Sequence, residues 1–138
     1  MTDATGVPTT AVAPATVGPV RLELPALTGM SRIARITGTA VAAMAGFTMD
    51  EIDDINVMIS EVMVALLEHG AWSDIEVTFD VGDGRFTVRG SADIEDFDLD
   101  DPDLALCRTV LAAVSTSHGI EGTSVRADIW ASLQQQKP

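Results

Sequence analysis

Tyrosine is absent from these 138 residues, cysteine occurs once and histidine twice. A lone cysteine, Cys107, excludes an intramolecular disulfide and fits a reducing compartment. It reads as a small buried hydrophobe rather than a nucleophile. Two histidines and one cysteine, placed this way, build neither a zinc-ligand spacing nor a Ser-His-Asp or Cys-His arrangement. No Walker loop is present either, and no metal site is expected. Positive charge is scarce as well: 8 Lys and Arg face 21 Asp and Glu, a net charge of −13. Such a chain repels nucleic acid and anionic membranes, so no direct nucleic-acid partner is expected. No stretch reaches the roughly 18 apolar residues that span a bilayer. The N-terminus lacks the basic start and apolar run of a signal peptide, so the chain reads as cytoplasmic, with no membrane partner.

What is abundant is apolar content, at 46%. That composition is globular, and the length fits one domain. Residues 1–17 read as a disordered leader of Thr, Ala, Pro and Val. Pro19 to Leu27 alternates as a one-sided strand. Arg32 to Ala45 has helical spacing and ends at Gly46. Arg32 and Arg35, near its start, either face a partner or an acidic patch or lie on a solvated face. Ile75 to Phe79 and Phe86 to Arg89 alternate around Gly82-Asp83-Gly84, which predicts a β-hairpin. Glu95 to Asp103 is acidic. Asp101-Pro102 then reads as a cap with proline at the first helical position, opening a helix to about Thr116. His118 to Thr123 reads as a glycine-containing turn with His118 in a loop, and Val125 to Trp130 as a last strand. Residues 133–138 read as a frayed tail, leaving 18–132 as the domain. The order predicts an α+β two-layer sandwich, a mixed β-sheet with helices on one face.

The chain is organised around Thr48 to Gly70. Thr48 and Glu51 have the capping-box spacing, and Asp50, Glu51, Asp53 and Asp54 suit the positive end of the helix dipole. From Ile55 to Leu67 nearly every position is apolar, so this helix is buried on most sides. Glu61 stands in that run with no partner one turn away. An ionised carboxylate in such surroundings needs a compensating partner or access to water. Arg35 and Arg89 are the candidate partners; an opening onto a cleft is the other solution. His69 reads as a C-terminal residue bonding a carbonyl.

Met58 to Gly70 resembles the signature helix of the anti-sigma-factor serine kinases, small members of the GHKL (Bergerat-fold) ATPase superfamily. Their pattern is Glu, three residues, Asn, three residues, His, then often Gly. Glu61, His69 and Gly70 fall in place. Ala42 to Ile52 resembles the family's Ala-x-x-Gly-hydrophobic stretch before that helix, and the hairpin and the Gly-Thr-Ser-Val of the last strand resemble its end. The resemblance implies a histidine-kinase-ATPase-like fold, with Glu61 as catalytic general base. It also implies an asparagine ligand for Mg²⁺ on ATP, a glycine loop at the adenine, a glycine-rich lid, and partners that are a sigma factor or an anti-sigma factor antagonist. A homodimer is implied by the same resemblance.

The sequence departs from that pattern at three of its four places. Ala65 stands where the Asn belongs and offers no ligand atom. Gly90 to Asp93 lacks the paired glycines of the adenine loop. The lid stretch is a run of acids, each costing on the order of 1 kcal/mol against a phosphate at about 4 Å in water and more where screening is poor. Asp96-x-Asp98-x-Asp100 has calcium-loop spacing, but Asp101 replaces its glycine and Cys107 its bidentate acid, which leaves a solvated acidic loop or a negative surface for a basic partner. Two functions follow. One is a regulator that sequesters a protein partner with weak or lost ATP binding, so that no cofactor is expected. The other is an ATP-dependent serine/threonine kinase acting on an anti-sigma factor antagonist, with an acid from Asp93 to Asp103 supplying the Mg²⁺ ligand.

Overall fold

A computed structural model describes residues 14–136. Most of the expected leader, 1–13, and the last two residues lie outside the described residues. The elements are β1 (Val17–Leu24), α1 (Met30–Met44), α2 (Met49–Glu68), β2 (Ile75–Gly82), β3 (Arg85–Asp93), α3 (Pro102–Val114), β4 (Ser117–Thr123) and β5 (Arg126–Gln134). One sheet holds all five strands in the order β1-β2-β3-β5-β4. The two-layer α+β architecture is as the alternating and helical patterns predict. The sheet, however, is antiparallel at every pair rather than mixed.

Two further expectations are corrected. Residues 118–123 are not a turn but most of β4, paired with β5 from Ser117↔Ser132 to Thr123↔Arg126. Residues 133–136 are not frayed: β5 continues to Gln134, and the Gln135 amide donates to Gly84 O at 2.7 Å. The Gln136 amide donates to Glu51 Oε2, also at 2.7 Å.

α2 starts as its sequence dictates. Thr48 Oγ1 accepts from the Glu51 amide at 3.2 Å, and Glu51 Oε1 accepts from the Thr48 amide at 2.8 Å. Burial raises the Glu51 carboxyl, but the hydrogen bonds from Gln136 and Thr48 together outweigh it and hold the pKa below its ordinary value. α2 packs Ile55, Met58, Ile59, Val62, Met63 and Leu66 over the sheet's Val77, Phe79, Phe86, Val88 and Ile129, all of them buried. Gly90 on β3 lets the helix approach, since a Cβ there would come within 2.6 Å of Val62 Cγ1.

The other face of the sheet is polar and self-paired. Arg89 meets Asp128 at 2.8 Å, Arg126 meets Asp93 at 2.8 Å, and Arg21 lies 3.9 Å from Glu76. Thr87 and Ser132 share a 2.7 Å hydrogen bond across β3 and β5, and Arg89 also lies over the Trp130 ring at 5.9 Å. Among the described residues, no helix is long and apolar enough to cross a membrane.

Candidate functional site

Glu61 sits half-buried in α2, where that helix faces α3. Neither candidate arginine reaches it. Arg89 is on the outer face of the sheet and engaged with Asp128, and no ion pair joins Arg35 or Glu61 to any described residue. The desolvation problem is met by partial exposure instead. Glu61 opens on a cleft of about 170 Å³ whose lining includes Ala65, Glu68, His69, Asp103 and Cys107. Burial pushes the Glu61 carboxyl above the ordinary glutamate range, and the charge of Glu68 adds to the effect. Cys107 is buried as expected, and burial next to Glu61 pushes its thiol up to about 11, so it is not a thiolate nucleophile at neutral pH.

The raised Glu61 pKa has a definite sign in stability. A carboxyl that is harder to ionise when folded supports folding fully below its unfolded pKa, and that support is lost as pH rises through the folded value. Glu61→Gln is therefore expected to stabilise the fold at pH 7 by a few tenths of a kcal/mol, on the scale of like-charge helix neighbours, seen as a higher melting temperature. The gain should vanish below about pH 4, where the wild-type carboxyl is itself protonated. Parallel thermal melts of both proteins across pH check this, and a variant less stable at pH 7 contradicts it.

Ala65 is 4% exposed and faces the same cleft with a methyl group. Residues 90–93 are strand, not loop: Gly90 pairs with Ile129 and Asp93 with Arg126. The acidic lid stretch is pinned at its start. Ile94 and Phe97 are buried, and their amides donate to Val125 O and Ser124 O at 3.0 and 3.2 Å. Ligand pockets run about 300–1,000 Å³, so this cleft is small for a nucleoside triphosphate. Its charged lining residues, Glu61, Glu68 and Asp103, are all acids. A cleft of about 310 Å³ at the start of α2 carries Asp50, Glu51 and Asp54 and is no better suited to phosphate.

His69 bonds a carbonyl as its sequence position implies, with Nδ1 2.7 Å from Ala65 O. Sequence reasoning missed where its other nitrogen goes. Nε2 lies 3.5 Å from Asp101 Oδ2, at the start of α3. The end of one helix and the cap of another were each legible, but no local signal joins positions 32 residues apart in sequence. The carboxylates of Asp96, Asp98 and Asp100 form no metal-sized cluster among the described residues; His69, Asp101 and Asp103 do.

No protein-family model matches the chain. The chain is similar to the serine-protein kinase RsbW of Bacillus subtilis (strain 168), with 28% identity over 85 residues, which is 59% of this chain and 53% of that protein. The match thus spans about half the length of its curated relative. Its fold is similar to the crystal structure of the RsbU and RsbW domains of Rv1364c from Mycobacterium tuberculosis, with a TM-score of 0.70 and 21% identity over 88% of this chain and 34% of that one. At 21% identity the likeness speaks to the fold, and the sequence relative points the same way. The chain is thus similar to RsbW over part of its sequence, and its fold is similar to that of the structure holding RsbU and RsbW domains.

Proposed function

We propose that this chain is a regulatory binding protein of the anti-sigma type, which sequesters a sigma factor or an anti-sigma factor antagonist without productive ATP chemistry. The observation that supports this reading is the cleft beside Glu61, small, with acids as its charged lining and with the methyl of Ala65 where the resembled pattern has Asn. Nothing in that lining offsets the charge of a triphosphate. A partner needs an apolar surface, and α1 offers one. Ile33, Ile36 and Met44 lie along one side of the helix, with Ile36 and Met44 about 60% exposed. Exposed apolar stripes of this kind mark protein contacts, to a partner or to a second copy in a homodimer.

A second reading keeps the kinase. It is favoured by Asp103, an acid of the lid stretch that lines the same cleft as Glu61. In that reading Asp103 supplies the Mg²⁺ ligand and Glu61 is the general base.

Calorimetric titration with Mg·ATP separates the two, with Ala65→Asn run alongside. Neither protein is expected to bind at millimolar nucleotide, whereas titration with a cognate sigma factor should give heat. Ile36→Asp should weaken that sigma-factor binding about tenfold or more, the scale of a buried contact residue. Micromolar binding of ATP by the wild type overturns the sequestration reading, and Glu61→Gln should then abolish phosphotransfer.

A further inference from the structure

We propose that His69, Asp101 and Asp103 form a site for a divalent cation of the zinc class, bridging the end of α2 to the start of α3. One nitrogen and two carboxylate oxygens, one from each residue, lie within 4.8 Å of one another. The first observation is the state of His69. Its side chain is nine-tenths buried, and Nε2 is a buried polar atom with no hydrogen-bond partner. Nδ1, 2.7 Å from Ala65 O, must carry a proton to donate to that carbonyl. In the neutral ring this leaves Nε2 as a lone pair, the form that ligates metal. That lone pair faces Asp101 Oδ2 at 3.5 Å without hydrogen-bond geometry. Two acceptors held this close are stable when something positive sits between them.

The second observation is the spacing. Zinc binds imidazole nitrogen and carboxylate oxygen at about 2.0–2.2 Å, and two such ligands at a tetrahedral angle stand about 3.4 Å apart. The observed 3.5 Å is that separation. Ligands of octahedral magnesium stand closer, near 2.9 Å, from bonds of about 2.0–2.1 Å. The third observation is the support behind the ligands. The histidine is oriented by a backbone carbonyl, the usual arrangement behind a metal-bound imidazole. Asp101 is oriented too: its Oδ1 accepts from the Asp103 amide at 2.9 Å, which turns Oδ2 toward His69. Both ligands therefore stand on helix ends that packing already holds. Asp103 is exposed, with its carboxylate at the rim of the cleft, so it can close onto a cation arriving from solvent. The fourth coordination position is left to water.

The site shares Asp103 and His69 with the cleft beside Glu61, but it needs no nucleotide, so metal binding measured without ATP tests it independently of the sequestration reading. Its test is calorimetry and thermal melting of the chelator-treated chain with Zn²⁺, with Mg²⁺ as the control. Zn²⁺ should bind with one-to-one stoichiometry at micromolar affinity and raise the melting temperature; Mg²⁺ at the same concentration should do neither. Asp101→Asn and Asp103→Asn should each weaken Zn²⁺ binding by on the order of tenfold to a hundredfold, and His69→Gln by at least as much. Co²⁺ in place of Zn²⁺ should give the visible absorption of a tetrahedral centre in the wild type, and it should be lost in Asp101→Asn. The proposal fails if millimolar Zn²⁺ leaves the wild type unchanged. It fails equally if the aspartate variants bind as the wild type does, since the metal is then held by the acidic surface at large.

Discussion

Gly38→Val is expected to leave little folded protein at 37 °C. Gly38 is buried in the middle of α1, against α2 and the sheet. A Cβ there would collide with the Ile59 side chain and stand 2.7 and 2.9 Å from two ring carbons of Phe79. Phe79 cannot yield, because it is fully buried and packed against Phe86 at 6.3 Å. Overpacking of this kind costs about 1–3 kcal/mol for a methyl and more for a branched side chain. Set against a total stability of about 5–15 kcal/mol, valine consumes a large share. Alanine makes the sharper test. On helix propensity alone Gly38→Ala gains about 1 kcal/mol; on the observed packing it loses. Chemical denaturation followed by circular dichroism decides the sign, and a stabilised alanine variant would mean that α1 is not seated as described.

Phe97→Ala should release the acidic stretch. Phe97 is the aromatic anchor between β3 and α3, buried, with its ring edge-on to His69 at 6.4 Å. On its other side Gly122 leaves room for it, since a Cβ at that position would lie 3.0 Å from the ring. Removing a buried phenylalanine costs about 3–5 kcal/mol. Here the loss is expected to be local first, because residues 95–101 have few other buried groups. Amide exchange should accelerate at Phe97 and Asp101, whose amides donate to Ser124 O and Asp98 O, well before the β2–β3 amides respond. Equal acceleration everywhere would show that Phe97 supports the whole core rather than this segment.

How much of this was readable in the chain depends on where each signal sits. The α2 cap is written in Thr48 and Glu51, three residues apart, and both predicted bonds form. The β2–β3 hairpin is written in two alternating runs around Gly82-Asp83-Gly84, and Asp83 and Gly84 adopt the left-handed backbone such a turn requires. β4 escaped because its inward positions give almost no apolar alternation. Gly119 is there to make room for Trp130, whose Nε1 would be 2.5 Å from a Cβ at that position. Two glycines in seven residues look like a turn when the strand beside them is unknown. The end of the chain escaped for a related reason, since the amide of Gln136, not its side chain, finds Glu51 85 residues away. The antiparallel sheet depends on β3 pairing with β5, across an intervening helix. At the candidate site, the solitary Glu61 was visible in sequence, as was an alanine at 65 where the resembled pattern has Asn. The meeting of His69 with Asp101 was not, because it is made by the angle at which α2 and α3 pack.

The cross-strand ion pairs on the outer face of the sheet have a consequence for how the molecule looks from a distance. Arg21, Arg89 and Arg126 are each matched there by an acid, and Arg85 stands on the same face. The helical side keeps Arg32, Arg35 and Arg108 against the acids of α2, α3 and the 95–103 stretch. Charge is thus sorted between the two layers, one mildly negative and the other strongly so. Within a Debye length, about 8 Å in physiological salt, a cationic protein feels little of the first and is turned by the second. The protein is a lopsided dipole, and an approaching basic partner is rotated toward the helices before any side chain touches.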